Sequence, residues 1–353
     1  MRLAVVLFNL GGPDSLAAVR PFLRNLFLDR AIIDLPDLIR RPLAGLISSR
    51  RAKVATEIYR KLGGSSPILP QTKAQAEALK QALARSLPQH VVEIFVSMRY
   101  WHPMAEETAR AVAAWRPDRV VLLPLYPQLS STTTSSSVAS WRVAAKAALL
   151  DAPTQVICCY ALQPGFIEAA AALIGPLLDQ ARKAGPIRLL LSAHGLPEKI
   201  VARGDPYPWH IERSARAIVE RLGTADLDWA VCYQSRVGPM RWIGPATEQE
   251  IARAARDGRA IVLFPVSFVS EHSETLVELD MEYAELAHRL GVPAYHRVPT
   301  VGTHPVFIDG LANLVGETLA RPQTPIVNDG SLQSCGAAHG ACPRLTGLYG
   351  AAV

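Results

Sequence analysis

The chain has 353 residues and a net charge of +6, and 49% of its residues are hydrophobic while 19% are charged. This length and composition favour a globular protein with two lobes of ordinary domain size, and they exclude a disordered chain. No apolar run reaches the roughly 18 residues that a membrane-spanning helix needs. The apolar start, Met1–Phe8, runs directly into the turn sequence Asn9–Pro13, so we expect a buried strand here rather than a signal peptide.

The positive charge is concentrated in one segment near the N-terminus. Residues 20–53 contain eight basic and three acidic residues, interspersed with large apolar side chains. This mixture suits an anionic membrane surface or an amphipathic anionic ligand, and an ordinary helical hairpin with a solvated basic face has the same composition. No nucleic-acid recognition motif accompanies it, so no nucleic-acid partner is expected.

Apolar strand-like runs alternate with helical patterns along nearly the whole chain. The predicted strands are Leu3–Asn9, Val91–Met98, Arg119–Pro124, Thr154–Cys159, Ile187–Ala193, Trp229–Tyr233, Ala260–Phe268 and Ala294–Arg297. The predicted helices cover 14–28, 71–86, 103–115, 137–150, 164–183, 206–222, 246–257, 274–290 and 304–320. Because the strands are continuously hydrophobic, they indicate parallel sheets covered on both faces. The sequence therefore predicts a doubly wound α/β fold with ligand sites after the carboxyl ends of its strands.

The loops after these strands lack the motifs of common nucleotide enzymes. Asn9–Pro13 does not have the G-x-G-x-x-G spacing of a dinucleotide site, and the sequence contains neither a P-loop lysine motif nor a G-x-S-x-G elbow. No nucleotide cofactor is therefore expected. The hydroxyl-rich run Ser130–Ser137 predicts either an anion site, with Ser130 as a substrate-binding candidate, or a helix cap with small packing residues.

The first candidate for chemistry is a histidine at the end of a buried strand. His194 is followed by Gly195 and Pro197, which turn the chain sharply and aim the imidazole into a cleft. An imidazole in such a place can accept a proton near neutral pH or bind a borderline metal ion. The alternative is a histidine that is only packed or solvated.

The second candidate is a carboxylate-rich segment where a strand meets a helix. Glu271, Glu274, Glu278 and Glu282 follow one another at helical spacing, which predicts four carboxylates on one helical face. In a cleft, some of them are expected to have raised pKa values and to hold protons or a cation; on the surface they form a solvated acidic face. His272 adds a metal-type ligand, although the H-E-x-x-H pattern of zinc peptidases is absent.

Aromatic and basic residues accompany these two segments. Tyr233 and Trp242 can form flat apolar walls, with Arg236 and Arg241 as partners for carboxylates.

Taken together, these segments resemble the ferrochelatase family over nearly the whole chain, and the proteobacterial and mitochondrial protoporphyrin enzymes more than the coproporphyrin enzymes. The matching segments are Asn9–Pro13, Phe22–Arg30, Tyr59–Ile68, Met98–Tyr100, Leu123–Gln128, Ser192–Pro197, Tyr233–Pro245, Pro265–Asp280 and Val298–Asp309. The resemblance implies two similar Rossmann-like lobes, each with a parallel sheet flanked by helices, and a porphyrin cleft between them. It implies a lyase that inserts Fe²⁺ into protoporphyrin IX, releasing two protons, in the last step of haem biosynthesis.

The resemblance also assigns residues to the site. His194 and Glu274 match the essential pair of the family, and His272 matches a supporting histidine; His194, Glu274 and Glu278 are the candidate contacts of the metal. The positions that line the cleft correspond to Tyr59, Arg99, Tyr100, Tyr233 and Trp242. Which of His194 and Glu274 takes protons and which takes metal is left open, as is the face from which the metal arrives.

The same resemblance divides the chain and locates it in the cell. Residues 1–155 plus about 305–325 form the first lobe with a membrane-facing lip at 20–53, residues 156–304 form the second lobe with the catalytic histidine and glutamate, and 326–353 form a C-terminal tail. We expect a cytoplasmic protein, peripheral on the inner face of the cell membrane, that is a monomer or a homodimer.

The five cysteines are too few and too irregular for a disulfide framework and fit a reducing cytosol. Some family members hold a [2Fe–2S] cluster through a C-terminal cysteine cluster and one internal cysteine, which needs four thiolates. The candidate ligands here are Cys158, Cys159, Cys335 and Cys342. The match is incomplete, because Ser131 stands at the vertebrate-type internal position and the tight C-terminal triplet is missing.

Two other functions share part of this pattern. Another tetrapyrrole metal chelatase would use the same residues on a different macrocycle. A non-catalytic porphyrin or haem carrier would keep the aromatic walls without needing both His194 and Glu274, so the presence of both favours an enzyme.

Overall fold

The computed structural model of the chain describes residues 1–236 and 240–329. Its strands are β1 Arg2–Asn9, β2 Val91–Met98, β3 Arg119–Pro124, β4 Thr154–Cys159, β5 Ile187–His194, β6 Asp228–Gln234, β7 Ala260–Pro265, β8 Tyr295–Arg297 and β9 Ile326–Asn328. One sheet has the order β2-β1-β3-β4-β9 and the other the order β6-β5-β7-β8, with every neighbouring pair parallel. The predicted α/β class with two parallel sheets is confirmed.

Helices cover the faces of both sheets. They are α1 Val19–Leu28, α2 Asp37–Lys61, α3 Ile68–Ser86, α4 Ala105–Trp115, α5 Ser136–Ala147, α6 Pro164–Ala181, α7 Glu198–Val201, α8 Tyr207–Leu222, α9 Thr247–Arg256, α10 Tyr283–Arg289 and α11 Pro305–Leu319. Two further segments, Ser131–Ser135 and Glu274–Glu282, are π-helical. None of the helices in the described ranges is long and apolar enough to cross a bilayer.

The inner strands are apolar on both faces because helices pack against each side of the sheet. In β1 every residue after Arg2 is buried, and in β5 every residue before His194 is buried. His194 is therefore the point at which a fully covered strand emerges from the core.

A single hydrophobic core connects the two sheets. Leu7 and Leu123 of the first sheet belong to the same cluster of buried side chains as Leu191 and Phe264 of the second. Polar side chains also connect the two lobes near the strand ends. Gln75 Nε2, in the first lobe, donates to the carbonyl of Val269, in the second, at 2.7 Å. The loops that follow the strands of both lobes are thus held next to one another.

Three of the elements that differ from the sequence-based expectation are as follows. Residues 37–61 form one long helix that packs with α1 in the lip, whereas only 14–28 was predicted to be helical there. The helix expected over 274–290 begins as a π-helix and becomes α-helical at Tyr283. Strand β9, which was not predicted, pairs with β4 and carries the first sheet as far as Asn328. The lobe boundaries near 155 and 305 stay predictions.

Candidate active site

His194 lies where β5 ends, and the turn after it fixes the orientation of its ring. The backbone N–H of His194 donates to Ser267 Oγ at 3.2 Å, and Nδ1 lies 2.6 Å from the carbonyl oxygen of Gly195. Because a carbonyl only accepts, this contact calls for a proton on Nδ1 and leaves Nε2 as the nitrogen with a free lone pair. The side chain is 40% exposed, so this nitrogen is accessible to a ligand.

Gly195 is required by close packing at this turn. A Cβ at this position would lie 2.8 Å from the carbonyl oxygen of Gln234 and 3.2 Å from the ring of Trp242. The glycine thus lets Trp242, which is half-buried, pack across the turn beside His194.

Glu274 and Glu278 converge on the loop that follows β6. Glu274 Oε2 lies 3.6 Å from His194 Nε2, and Ser235 Oγ lies 3.2 Å from the same oxygen and 2.5 Å from Glu278 Oε2. Glu278 also accepts the backbone N–H of Ser235 at 2.8 Å and the hydroxyl of Tyr283 at 3.0 Å. Ser235 has a φ of +59°, a left-handed conformation that is uncommon for a residue other than glycine and is typical of functional sites.

The two carboxylates have opposite pKa shifts. Burial opposes the charge of Glu274, but the nearby imidazoles of His194 and His272 outweigh it and lower its pKa to about 2. Burial and the charge of Glu274 raise the pKa of Glu278 above its usual value. The expectation that some of these carboxylates have raised pKa values holds for Glu278, whereas the pKa of Glu274 is lowered. Neighbouring titratable groups whose pKa values are driven apart in this way are suited to separate acid and base roles.

His272 supports Glu274 from the buried side. Its Nε2 lies 3.8 Å from Glu274 Oε2, its Nδ1 lies 3.2 Å from the carbonyl of Ser270, and its ring packs against Phe268 at 4.5 Å between centroids. The structure thus brings His194, His272 and Glu274 together, as the sequence predicted. In the parts of the chain that the structure describes, no group of three or more His, Cys, Asp or Glu side chains is arranged to hold a metal ion by itself.

The prediction of four carboxylates on one helical face is wrong. Glu271 precedes the helix and forms an ion pair with Arg297 at 2.6 Å, and Glu282 is exposed. The α-helical period does not apply, because the helix starts only at Glu274 and closes i to i+5 hydrogen bonds as a π-helix.

Two tyrosines lie on elements that border this centre. Tyr59, near the end of α2, is buried with its hydroxyl 3.4 Å from Ser273 Oγ, and burial raises its pKa to about 12. Tyr233 is buried near the end of β6, where its backbone N–H donates to Pro245 at 2.9 Å. Burial also raises the pKa of Tyr233, so both phenols are neutral at physiological pH.

Arg99 and Tyr100 share a carboxylate that the sequence analysis missed. Asp29 Oδ2 lies 2.8 Å from Arg99 Nη2 and accepts the hydroxyl of Tyr100 at 2.7 Å, while Arg99 Nε donates to Ser136 Oγ at 2.7 Å. Tyr100 is buried, and its predicted contact with the substrate stays a prediction, as does that of Arg99. The signals for Asp29 were its acidic charge in a mainly basic segment and its place in the matching segment Phe22–Arg30.

The hydroxyl-rich run caps a helix and binds a carboxylate of the chain itself. Asp205 Oδ2 accepts the hydroxyl of Ser130 at 3.0 Å and the backbone N–H of Ser131 at 2.7 Å, and Ser130 Oγ accepts the N–H of Thr132. The N-terminus of this helix therefore already holds an anion, from the segment just before α8. Ser130 is buried, and its role in substrate binding stays a prediction.

Two of the candidate cluster ligands lie in the described part of the chain. Cys158 and Cys159 are buried on β4, with their sulfur atoms 3.6 Å apart. Cys335 and Cys342 lie outside the described residues.

Comparison with known proteins identifies the family of the chain. The family profile of ferrochelatase matches residues 2–319. The chain belongs to the ferrochelatase family. The ferrochelatases of Caulobacter vibrioides (strain NA1000 / CB15N) and Phenylobacterium zucineum (strain HLK1) are each 51% identical to it, over 98% of this chain and 98% and 99% of their own lengths.

The fold agrees with this assignment. The sirohydrochlorin chelatase SirB from Bacillus subtilis subspecies spizizenii in complex with cobalt has a TM-score of 0.53 over 91% of this chain and 97% of its own, at 13% identity, which supports the chelatase fold alone. As a ferrochelatase the chain is a lyase that inserts iron into protoporphyrin IX in haem biosynthesis, and iron is its substrate. The resemblance read from the sequence, including the α/β chelatase fold, is confirmed.

Proposed function

We propose that the His194–Glu274 pair is the centre at which ferrous iron replaces the two pyrrole protons of protoporphyrin IX. The observation that carries this proposal is the 3.6 Å separation of His194 Nε2 and Glu274 Oε2 at the carboxyl end of the buried strand β5. Free porphyrin plus Fe²⁺ gives haem plus two protons, so the site must accept protons as the metal–nitrogen bonds form.

His194 accepts the two pyrrole protons one at a time through its free Nε2, giving up the first before it takes the second, because an imidazole exchanges protons readily. Glu274 is ionised and lies beside this nitrogen, so it stabilises the imidazolium that forms. Glu278, whose raised pKa suits a proton acceptor, is connected to Glu274 through Ser235 and receives the protons that leave the centre.

The test of the activity is anaerobic incubation of the purified chain with protoporphyrin IX and Fe²⁺, followed by loss of porphyrin fluorescence. We expect turnover by the wild type and none by the double variant that combines His194→Ala with Glu274→Ala. Stoichiometric porphyrin binding without insertion of any metal would indicate a carrier. Faster insertion of Co²⁺ into sirohydrochlorin would indicate another tetrapyrrole chelatase.

We also propose that the lip, residues 20–53, binds the inner face of the cell membrane, which would make the chain a peripheral cytoplasmic protein. Large apolar side chains are exposed along it, and Leu38 is 88% exposed. Exposed basic residues such as Arg41 and Arg50 lie beside them. An apolar surface rimmed by cations suits anionic headgroups and the acyl boundary below them. Whether the chain acts as a monomer or a homodimer stays a prediction.

A substitution in the lip tests this contact. Leu38→Glu adds a negative charge and removes apolar surface, so we expect weaker co-sedimentation with vesicles that contain phosphatidylglycerol. Leu149→Glu is the matched control, because Leu149 is 89% exposed but lies after α5, outside the lip. Equal vesicle binding by both variants and the wild type would contradict the proposal.

We further propose a [2Fe–2S] cluster whose four thiolate ligands are Cys158, Cys159, Cys335 and Cys342. A register shift between Ile157 and Cys159 interrupts the alternation of β4, and both thiols join one core cluster. The chain leaves β9 beside them, because Asn328 pairs with Cys159. Cys232 is unsuited, since it lies in the other sheet and burial raises its pKa to about 12.

When bound, such a cluster would join the tail to the first lobe and supply one-electron chemistry. We assign no step of iron insertion to it. Protein purified without oxygen should contain about two iron and two acid-labile sulfide per chain, with visible absorption that Cys335→Ser removes. Iron and sulfide near zero in the wild type would contradict the cluster.

A further inference from the structure

A buried arginine outside the catalytic pair binds two carboxylates of the segment that carries Glu274. Arg297 is the last residue of β8, an edge strand, and its side chain is 10% exposed. Its Nη1 lies 2.6 Å from Glu271 Oε1, while its Nε and Nη2 lie 2.6 and 2.5 Å from the two carboxylate oxygens of Asp280. One guanidinium therefore connects the residues before the π-helix to the helix itself.

The backbone between these two carboxylates sets the geometry of the site, since it includes His272, Glu274 and Glu278. π-helices usually occur as single-turn bulges, whereas this one extends over nine residues. A segment with such an unfavourable hydrogen-bond pattern needs support from its surroundings. Strand β8 supplies that support twice, through Arg297 and through the hydroxyl of Tyr295, which donates to the carbonyl of Leu279 at 2.8 Å.

The chemistry of the cluster makes it a rigid attachment. Glu271 Oε1 also accepts the backbone N–H of Thr300 at 2.9 Å, so two donors hold this oxygen. A planar guanidinium binds the two oxygens of Asp280 in parallel, which an ammonium group cannot do. Removing one partner from such a buried ion cluster leaves an uncompensated charge. The substitution of any one of the three groups is therefore expected to disrupt the whole cluster.

We propose that Arg297 is a positioning residue for iron insertion. By binding Glu271 and Asp280 it fixes the π-helix and, through it, the separation between Glu274 and His194. Arg297 acts through these carboxylates and makes no contact with the reacting atoms. The inference rests on the proposed role of the His194–Glu274 pair.

The test uses Arg297→Lys, which keeps the positive charge but cannot bind both carboxylates in the same geometry. We expect kcat to fall about 10- to 100-fold, because a shift of about 1 Å in a catalytic group can cost about 100-fold in rate. KM for protoporphyrin IX should change by less than about twofold, since the porphyrin walls do not depend on this contact. Zn²⁺ insertion, followed by fluorescence, gives the same comparison without oxidation of the metal.

The matched control is Arg188→Lys. Arg188 is 3% exposed and bridges Asp228 and Asp257 in the same lobe, at the start of β5 and away from the π-helix. Its variant should keep a near-wild-type kcat even when the two variants lose equal thermal stability. A loss of kcat that merely follows stability in both variants would overturn the inference.

Two further variants keep the test decisive. Asp280→Asn weakens the same cluster by removing the charge of the carboxylate partner, and it should reproduce the loss of kcat. This variant also serves as the test if Arg297→Lys does not fold. In a Glu274→Gln background, Arg297→Lys should cause no further loss, because two changes that act through one group are not additive. An additive loss there, or a wild-type kcat in Arg297→Lys alone, overturns the role of Arg297. Full activity of Glu274→Gln by itself would instead refute the proposed catalytic pair.

Discussion

His194→Ala is expected to lower the rate of iron insertion about 1,000-fold, within the range of about 10² to 10⁴ that general acid–base catalysis contributes. The variant removes Nε2 of His194, the exposed imidazole nitrogen beside Glu274, so the pyrrole protons lose their acceptor. Porphyrin binding should persist, because Tyr233 and Trp242 are unchanged. The measurement is kcat for Zn²⁺ and Fe²⁺ insertion together with the dissociation constant of protoporphyrin IX.

His288→Ala is the control for this variant. His288 is an exposed histidine of α10 in the same lobe, so its loss removes the same chemical group from outside the cleft. Its kcat should match that of the wild type. A His194→Ala enzyme that retains more than about a tenth of the wild-type kcat would be inconsistent with a general base at this position.

Glu274→Gln is expected to lower kcat about 100-fold, the order of magnitude for loss of one preorganised electrostatic partner. The amide keeps the shape of the side chain but removes the charge that stabilises a protonated His194. Because the pKa of Glu274 is about 2, this charge is present throughout the range in which the enzyme is assayed. Glu282→Gln, an exposed change in the same π-helix, should leave kcat unchanged.

The pH dependence of kcat in Glu274→Gln tests the role of Glu278. The pKa of Glu278 is raised by burial and by the charge of Glu274. Removing that charge lowers the pKa of Glu278, so an acidic limb of kcat that belongs to Glu278 should move to lower pH in Glu274→Gln. An acidic limb that moves to higher pH would contradict the assignment of the proton acceptor.

Much of the fold could be predicted because its strands are continuous apolar runs between polar residues. The bounds of β3 and β4 agree with the prediction at every residue, and the end of β5 differs by one position. His194, His272 and Glu274 could be expected near one another since parallel strands present their carboxyl ends at the same edge of a sheet.

The remaining features depend on contacts between distant parts of the chain. Asp29 meets Arg99, and Asp205 meets Ser130, across about 70 residues of sequence, which no local pattern encodes. The π-helix has the composition of an ordinary amphipathic helix, and its hydrogen-bond pattern depends on groups such as Arg297 that pack against it from another strand. Strand β9 is only three residues long, too short to carry a periodic signal.

The shared core also determines how the molecule comes apart. Leu7 and Phe264 belong to one apolar cluster, so separating the lobes would expose side chains that are now buried in both. We therefore expect the molecule to unfold as one cooperative unit, with a single peak in calorimetry, and neither lobe to be stable by itself. Moving the two sheets apart on a hinge would break this core, so we expect a flat macrocycle to reach the site through rearrangement of the surrounding helices.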